Sequence, residues 1–422
     1  MSKKLTKVVA LVLLSAVLAV LPGLVGCGED ESGKVQIRIG MLTDFTGPAS
    51  FAVRPMMDSF RDAFKMAEEK GEFPEGVEIK WYTYDQRTDA SRVPAGYMWL
   101  RGQGAIVMNM ISPTDRSILT NNFIEDQMPV WGSSVVEGSP AHEWTYNQYG
   151  TNGHEVEAAV QFIIDTWDYD GMDRVPKIGH QSWVILTGEL HQKGFERMMA
   201  WPEYADKFEF VGWERAPMGT AQWAAEIQKF MDCDYIFFST VGSMTSTFIR
   251  EARNRGYTGA FISGIYAFPG YWDMVTEVLP GDQLYDCYFL QWNPWWTADI
   301  PMNNEAKEAM KKYHAGDVDW RLKNSGALAG YMMGWFAIQV LYDAIEAVGG
   351  AENLTGPAIR DASRSINMTV EGFNEPWRFY EGYHGMLRQM LVFKYNASIE
   401  DWENTGQGWI IPHSLKDLQP LQ

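Results

Sequence analysis

The chain has 422 residues and a formal charge of −19, because 54 Asp and Glu outweigh 35 Lys and Arg. That sign is wrong for contact with a phosphate backbone, so no nucleic-acid partner is expected. A hydrophobic fraction of 46% and an aromatic fraction of 14% supply sizeable cores, and a chain of this length exceeds what one core usually spans, so two domains are expected.

In chain order, the first element stands apart from the fold. Lys3, Lys4 and Lys7 precede an uncharged stretch from Val8 to Leu21, which is the order of a secretory signal. The stretch falls short of the roughly 20 apolar residues that a spanning helix needs. It ends in Leu24-Val25-Gly26-Cys27, which resembles the lipobox of bacterial lipoproteins: two apolar residues, a small one, then the cysteine that takes the lipid. The resemblance implies a signal over residues 1–26 and a membrane anchor through acyl chains on Cys27, each buried methylene contributing about 0.8 kcal/mol. Residues 27–34 then read as a polar tether.

The strand pattern of 35–41 is followed by a helix over 55–70, with Met57, Phe60, Phe64 and Ala67 at helical spacing, and by a strand over 77–84. The alternation continues with helices near 91–101 and 114–125 and strands at 104–110 and 128–134. It predicts an α/β fold with a parallel sheet covered on both faces. A second set opens with a helix over 152–167, for which Asn152 is the expected N-cap. Strands at 177–186, 208–214, 235–240, 260–264 and 284–290 alternate with helices at 191–200, 221–231 and 244–255. Helices near 303–313, 326–349 and 356–365 come next, then strands near 376–380 and 387–395. The 326–349 segment is long and apolar, but Gln339, Asp343 and Glu346 interrupt it, so it is predicted as a core helix rather than a membrane span.

Motifs for chemistry are mostly missing from the sequence. No phosphate-binding G-x-x-x-x-G-K-[ST] or nucleophile G-x-S-x-G occurs, and Gly102 and Gly104 lack the third glycine of a dinucleotide loop. His154-Glu155-Val156-Glu157 opens like a zinc helix, but Ala158 stands where the second histidine belongs. His154 and Glu155 therefore read as a solvated first turn, where carboxylates favour the helix dipole. Asp85 and Asp89 could be an acid/base pair, but a strand-end Asp followed by a capping one explains the spacing better. No cofactor, no metal and no enzyme activity are expected. Cys233 and Cys287 lie in strand-like segments, and sequence alone leaves a disulfide between them open.

Three segments then carry a family resemblance: "IRIGMLTDFTGP" at 37–48, "YTYDQRTDAS" at 82–91, and the strand-helix-strand unit "YIFFSTVGSMTSTFIREARNRGYTGAFISG" at 235–264. In this order they resemble the leucine/isoleucine/valine-binding family of type I periplasmic binding proteins, the solute receptors of ABC importers. The resemblance implies two doubly wound parallel-sheet lobes joined by a three-strand hinge. The lobes would be 35–152 with 292–372, and 153–291 with 373–422. Ligand would sit at the carboxyl ends of the strands, which is also the general rule for open α/β sheets. The implied function is an extracytoplasmic, lipid-anchored receptor that delivers a small organic solute to an ABC permease and ATPase. A sensory receptor of similar fold is the alternative.

Carried over position by position, the resemblance brings Phe51 to the cleft mouth. It puts Ser112, Ser133 and Ser134 where small residues and backbone N–H groups bind a carboxylate. Asn152 falls where a carboxylate often stands at the crossing. In the second lobe it implies Trp183 and His191 beside the ligand and Thr240 after a strand. The family's acid after the "FISG"-like strand is missing, because Ile265-Tyr266-Ala267-Phe268 stands there. A buried ammonium without a counter-charge costs several kcal/mol. The expected solute is thus amino-acid-like, an amide or an aromatic carboxylate packed on Phe51, Trp183 and Tyr266, and a true α-amino acid fits least.

Overall fold

A computed structural model describes residues 33–421 apart from Val135, Glu137, Gly138, Ala141 and Tyr266. The signal, the lipobox with Cys27, and Tyr266 lie outside the described residues.

The first sheet contains β1 (Val35–Thr43), β2 (Val77–Asp85), β3 (Val107–Asn109), β4 (Val130–Ser134) and β5 (Thr145–Tyr149). Its order is β2-β1-β3-β4-β5 and every pair is parallel. Ile37, Ile39 and Met41 alternate along β1 and are fully buried, as the period of two requires for one face of a strand. Helix Val93–Gly102 covers the opposite face, where Leu42 packs with Val93, Tyr97 and Leu100. The sequence reading missed β5, a short polar strand whose residues are nonetheless all buried.

Helices Ser50–Glu69 and Ser325–Val348 cross on this first lobe at close range. A Cβ on Gly330 would lie 2.0 Å from the Met56 carbonyl oxygen, so only glycine lets the two backbones meet there. The long apolar segment is therefore a core helix, as expected. Gln339 Nε2 donates to Asp343 Oδ1 at 2.7 Å on its partly buried side. Among the described residues no helix is long and apolar enough to cross a membrane.

The second sheet has a parallel centre of β6 (Lys177–Trp183), β7 (Glu209–Ala216), β8 (Tyr235–Ser239), β9 (Ala260–Ser263) and β10 (Cys287–Gln291). The late strands depart from the sequence reading. β11 (Asn367–Met368) and β12 (Trp377–Arg378) form a separate antiparallel ladder, so the segment expected at 376–380 shrinks to a two-residue strand. β13 (Leu391–Asn396) instead joins β10 antiparallel and carries β14 (Asp401–Asn404) at the edge. The order is β14-β13-β10-β9-β8-β6-β7. Cys233 and Cys287 are free buried thiols, both pushed up to about 12 by burial.

Helix Asn152–Thr166 follows β5 in the chain and packs against helix Leu186–Ala200 and against β9 and β10. Its N-cap is Thr151, one residue before the one expected. The Thr151 side chain bonds the His154 backbone, while His154 Nδ1 accepts from the Thr151 N–H at 3.0 Å. Burial pushes His154 down to about 3, which keeps the ring neutral and able to accept. The expected solvated turn is thus a buried one, because this helix starts in the seam between the two sheets.

Candidate functional site

Carboxyl-terminal ends of strands from both sheets face one cleft of about 430 Å³. β1 ends in the loop of Asp44, β2 in Gln86 to Thr88, and β3 and β4 bring Ser112 and Ser133. From the other sheet come Trp183, Thr240 and Gly264, and the connecting helix adds Asn152 and Glu155. Parallel strands make this meeting possible, since all their carboxyl ends leave a sheet on the same side.

On the first-lobe wall, short hydrogen bonds fold the loops. Asp44 accepts from the Ala49 N–H at 2.9 Å and also from Gly47 N–H and the Thr88 hydroxyl. This clamps a turn in which Arg87 and Thr88 sit at φ 59° and 56°, a left-handed conformation uncommon outside glycine. Asp85 accepts from the Phe45 N–H at 2.9 Å, and Asp89 caps the Ser91 N–H at 3.0 Å, the structural roles expected of both. Ser112 Oγ accepts from the Asp115 N–H and Ser133 Oγ donates to the Ile111 carbonyl, each at 3.2 Å.

Asp115 stands on this wall at 4% exposure, and its Oδ2 has no hydrogen-bond partner among the described residues. Burial pushes its carboxyl up to about 6, with Ser112 and then Arg116 offsetting part of that rise. Arg116 is itself buried and donates to Asn147 Oδ1. Asn152 Oδ1 is likewise buried without a partner among the described residues.

The second-lobe wall is built differently. His180 Nε2 lies 2.8 Å from Ser239 Oγ, Ser239 Oγ lies 2.5 Å from His191 Nδ1, and His191 Nε2 lies 3.0 Å from Glu155 Oε2. Burial, and then the nearby His191, push His180 far below the usual histidine range. A neutral His180 donating from Nε2 lets the Ser239 hydroxyl donate onward to His191, which in turn donates to Glu155. Glu155 as the terminal acceptor sets this direction, and it requires the Gln192 amide, 3.4 Å from His180 Nδ1, to turn its nitrogen to the ring. Serine, histidine and carboxylate thus stand in sequence, but the serine oxygen is engaged on both sides and only 4% exposed. The arrangement is a frame rather than a free nucleophile. Thr240 Oγ1 pairs with Thr245 Oγ1 at 2.8 Å in the same wall.

The structure brings Ser112, Ser133, Asn152, Trp183, His191 and Thr240 to the cleft. Ser134 closes β4 opposite Tyr149. Phe51 is a correction. It is 46% exposed and packs edge-on against Trp320 at 6.5 Å, while its helix turns Ala52 and Val53 toward the cleft instead.

A second correction concerns charge. Glu155 is 2% exposed rather than solvated, and a Cβ on Gly264 would lie 1.8 Å from its Oε2. The carboxylate therefore stands over the end of β9, where the sequence had shown no acid. It comes from the connecting helix, so no inspection of the residues after β9 could find it. Asp44 and Asp115 were also missed. The one signal for Asp115 was its place three residues after a capping serine, which reads as an ordinary helix start. Among the described residues, no group of three or more His, Cys, Asp and Glu is arranged to hold a metal.

The fold and the cleft agree with sequence comparison. The profile of the periplasmic binding protein family matches residues 36–401, and the chain belongs to that family. Among solved structures it is similar to a branched-chain amino acid ABC transporter protein from Thermus thermophilus with bound valine, at 14% identity and TM-score 0.76, covering 88% of this chain and 96% of that one. It is also similar to a fatty acid ABC transporter substrate-binding protein from Thermomonospora curvata, at 16% identity and TM-score 0.75, covering 91% and 94%. A third likeness is to an ABC transporter solute-binding protein from R. palustris in complex with benzoate, at 13% identity and TM-score 0.69, covering 89% and 97%. No curated protein sequence matches the chain.

Proposed function

We propose that this protein is a lipid-anchored extracytoplasmic receptor that closes its two lobes on a small organic solute and delivers it to an ABC permease and ATPase. The observation that carries this reading is the cleft of about 430 Å³, lined by strand ends from both sheets and by the helix that joins them. A solute held there contacts both lobes at once, so binding favours closure over opening. The solved structures of similar fold are described as ABC transporter proteins and hold or take valine, fatty acids and benzoate, which supports the solute class without selecting a member. The signal and Leu24-Val25-Gly26-Cys27 support the anchor.

The test is melting temperature against a panel of amino acids, amides, ureas, amines and aromatic acids. A ligand at 1,000 times its dissociation constant adds about 4 kcal/mol, roughly 5 °C for a chain of this size. A panel without any shift sinks the receptor reading. For the anchor, Cys27→Ser is expected to end incorporation of labelled fatty acid and release the protein from membranes. Retention of both would refute the lipid assignment.

A further inference from the structure

Two observations on the first-lobe wall point to the chemistry of the solute, and both rest on the cleft being a solute site. The hydroxyls that the family resemblance would give to a carboxylate are already used inside the protein. Ser112 Oγ caps a helix and Ser133 Oγ holds the Ile111 carbonyl, each at 3.2 Å. The buried lining atoms left without partners among the described residues are two acceptors, Asp115 Oδ2 and Asn152 Oδ1, and the Thr114 hydroxyl; Asp115 and Asn152 are only 4% and 2% exposed. A carboxylate oxygen buried in this way is destabilising until an N–H or O–H reaches it.

The surrounding charge favours the same class. Asp44, Asp115 and Glu155 line the cleft, and Arg87 is the single guanidinium or ammonium among its described lining residues. Arg87 is turned outward, with a side chain 60% exposed and bonded to Asp85 at 3.3 Å. An anionic head group in this cleft would face the three carboxylates, with Thr114 Oγ1 as the one unpartnered buried hydroxyl among the described lining residues. A desolvated N–H donor would complete Asp115 with a charge-assisted bond.

We propose that Asp115 reads a protonated nitrogen on the solute, an ammonium or amidinium, and so sets the cleft against solutes that offer only a carboxylate at the first-lobe wall. The polarity of this wall is then the reverse of what the family resemblance implied for Ser112, Ser133 and Ser134. Near neutral pH Asp115 is ionised, since burial lifts it only to about 6.

Benzamidine, benzamide and benzoate test this, because they share a ring and a planar head while the head changes from cationic donor to neutral to anionic acceptor. Calorimetric titration of the full chain is expected to give tighter binding of benzamidine than benzoate by about tenfold or more. Asp115→Asn is expected to weaken benzamidine by roughly ten- to a hundredfold, the loss of one charge-assisted bond, and to narrow the gap to benzamide. Benzoate binding as tightly as benzamidine, or an equal loss for all three in the variant, overturns the proposal. So does failure of all three to bind while carboxylates of the wider panel do.

A ligand-free measurement guards against a misfolded variant. If Asp115 is kept for a solute, Asp115→Asn melts no lower than the parent, because it removes a buried charge whose desolvation outweighs the help of Ser112, Arg116 and Gln86. A fall of several degrees marks a structural residue and overturns the proposal. Carboxylates binding better than amines defeats this inference alone, whereas a panel with no binder at all defeats the receptor reading beneath it.

Discussion

The two walls of the cleft use their polar atoms in opposite ways. On the second-lobe wall, His180, Ser239, His191 and Glu155 hand one hydrogen bond to the next over distances of 2.5 to 3.0 Å. On the first-lobe wall, Asp115 lines the cleft and its buried Oδ2 has no partner among the described residues. A satisfied buried network fixes geometry and adds stability, while an unsatisfied carboxylate subtracts stability until something binds it. The contrast separates the frame of a site from its reader, a distinction that residue type alone does not make, because acids stand on both walls.

The largest effect is expected from the frame. Glu155→Ala removes the acceptor of His191 Nε2 and of Trp292 Nε1, the latter at 3.4 Å. Stranding those buried donors should lower unfolding free energy by about 3 kcal/mol or more. A loss under about 1 kcal/mol in urea titration would erase the contrast between the walls.

Next comes the pH dependence of Asp115. Its folded value of about 6 lies above the 3.8 of an ordinary Asp, so between these values the folded state holds more protons than the unfolded one. Stability from this group is therefore fully present below pH about 4 and declines as pH rises toward 6, by up to roughly 3 kcal/mol. Buried His154, held down to about 3, acts in the opposite sense and loses stability as pH falls from 6.5 toward 3. The difference between parent and Asp115→Asn isolates the first term. A difference that stays flat from pH 4 to 7 contradicts the assignment.

A smaller effect belongs to Thr240→Val, which leaves the Thr245 hydroxyl without its 2.8 Å partner and should cost about 1 kcal/mol. If solute affinity falls by more than stability does, Thr240 is a reader and the second wall is less closed than described. The smallest is Phe51→Ala, expected to change stability by about 0.5 kcal/mol or less and solute affinity not at all, given its exposure and its contact with Trp320. A tenfold loss of affinity would return Phe51 to the site.

Much of the fold was legible because it rests on local pattern. Ile37, Ile39 and Met41 give the strand period, and Met57, Phe60 and Phe64 give the helical one. Parallel β/α alternation then implies where a cleft lies. β5 escaped because its five residues are polar or aromatic and their burial is imposed by neighbours. The partners of β12 and β13 are not legible in the sequence, because β11 and β10 are brought to them only in three dimensions.

The site was legible by place more than by role. Six of the nine residues carried over from the family line the cleft, but the sequence could not show that Ser112 and Ser133 spend their hydroxyls on the backbone. Nor could it show Glu155 standing over Gly264. By itself the sequence determined the class of fold, the order of its elements and the position of the cleft, because periodicity and alternation are written along the chain. Only the tertiary structure decided which polar atoms are satisfied and which are left open, because that depends on partners brought together from distant segments.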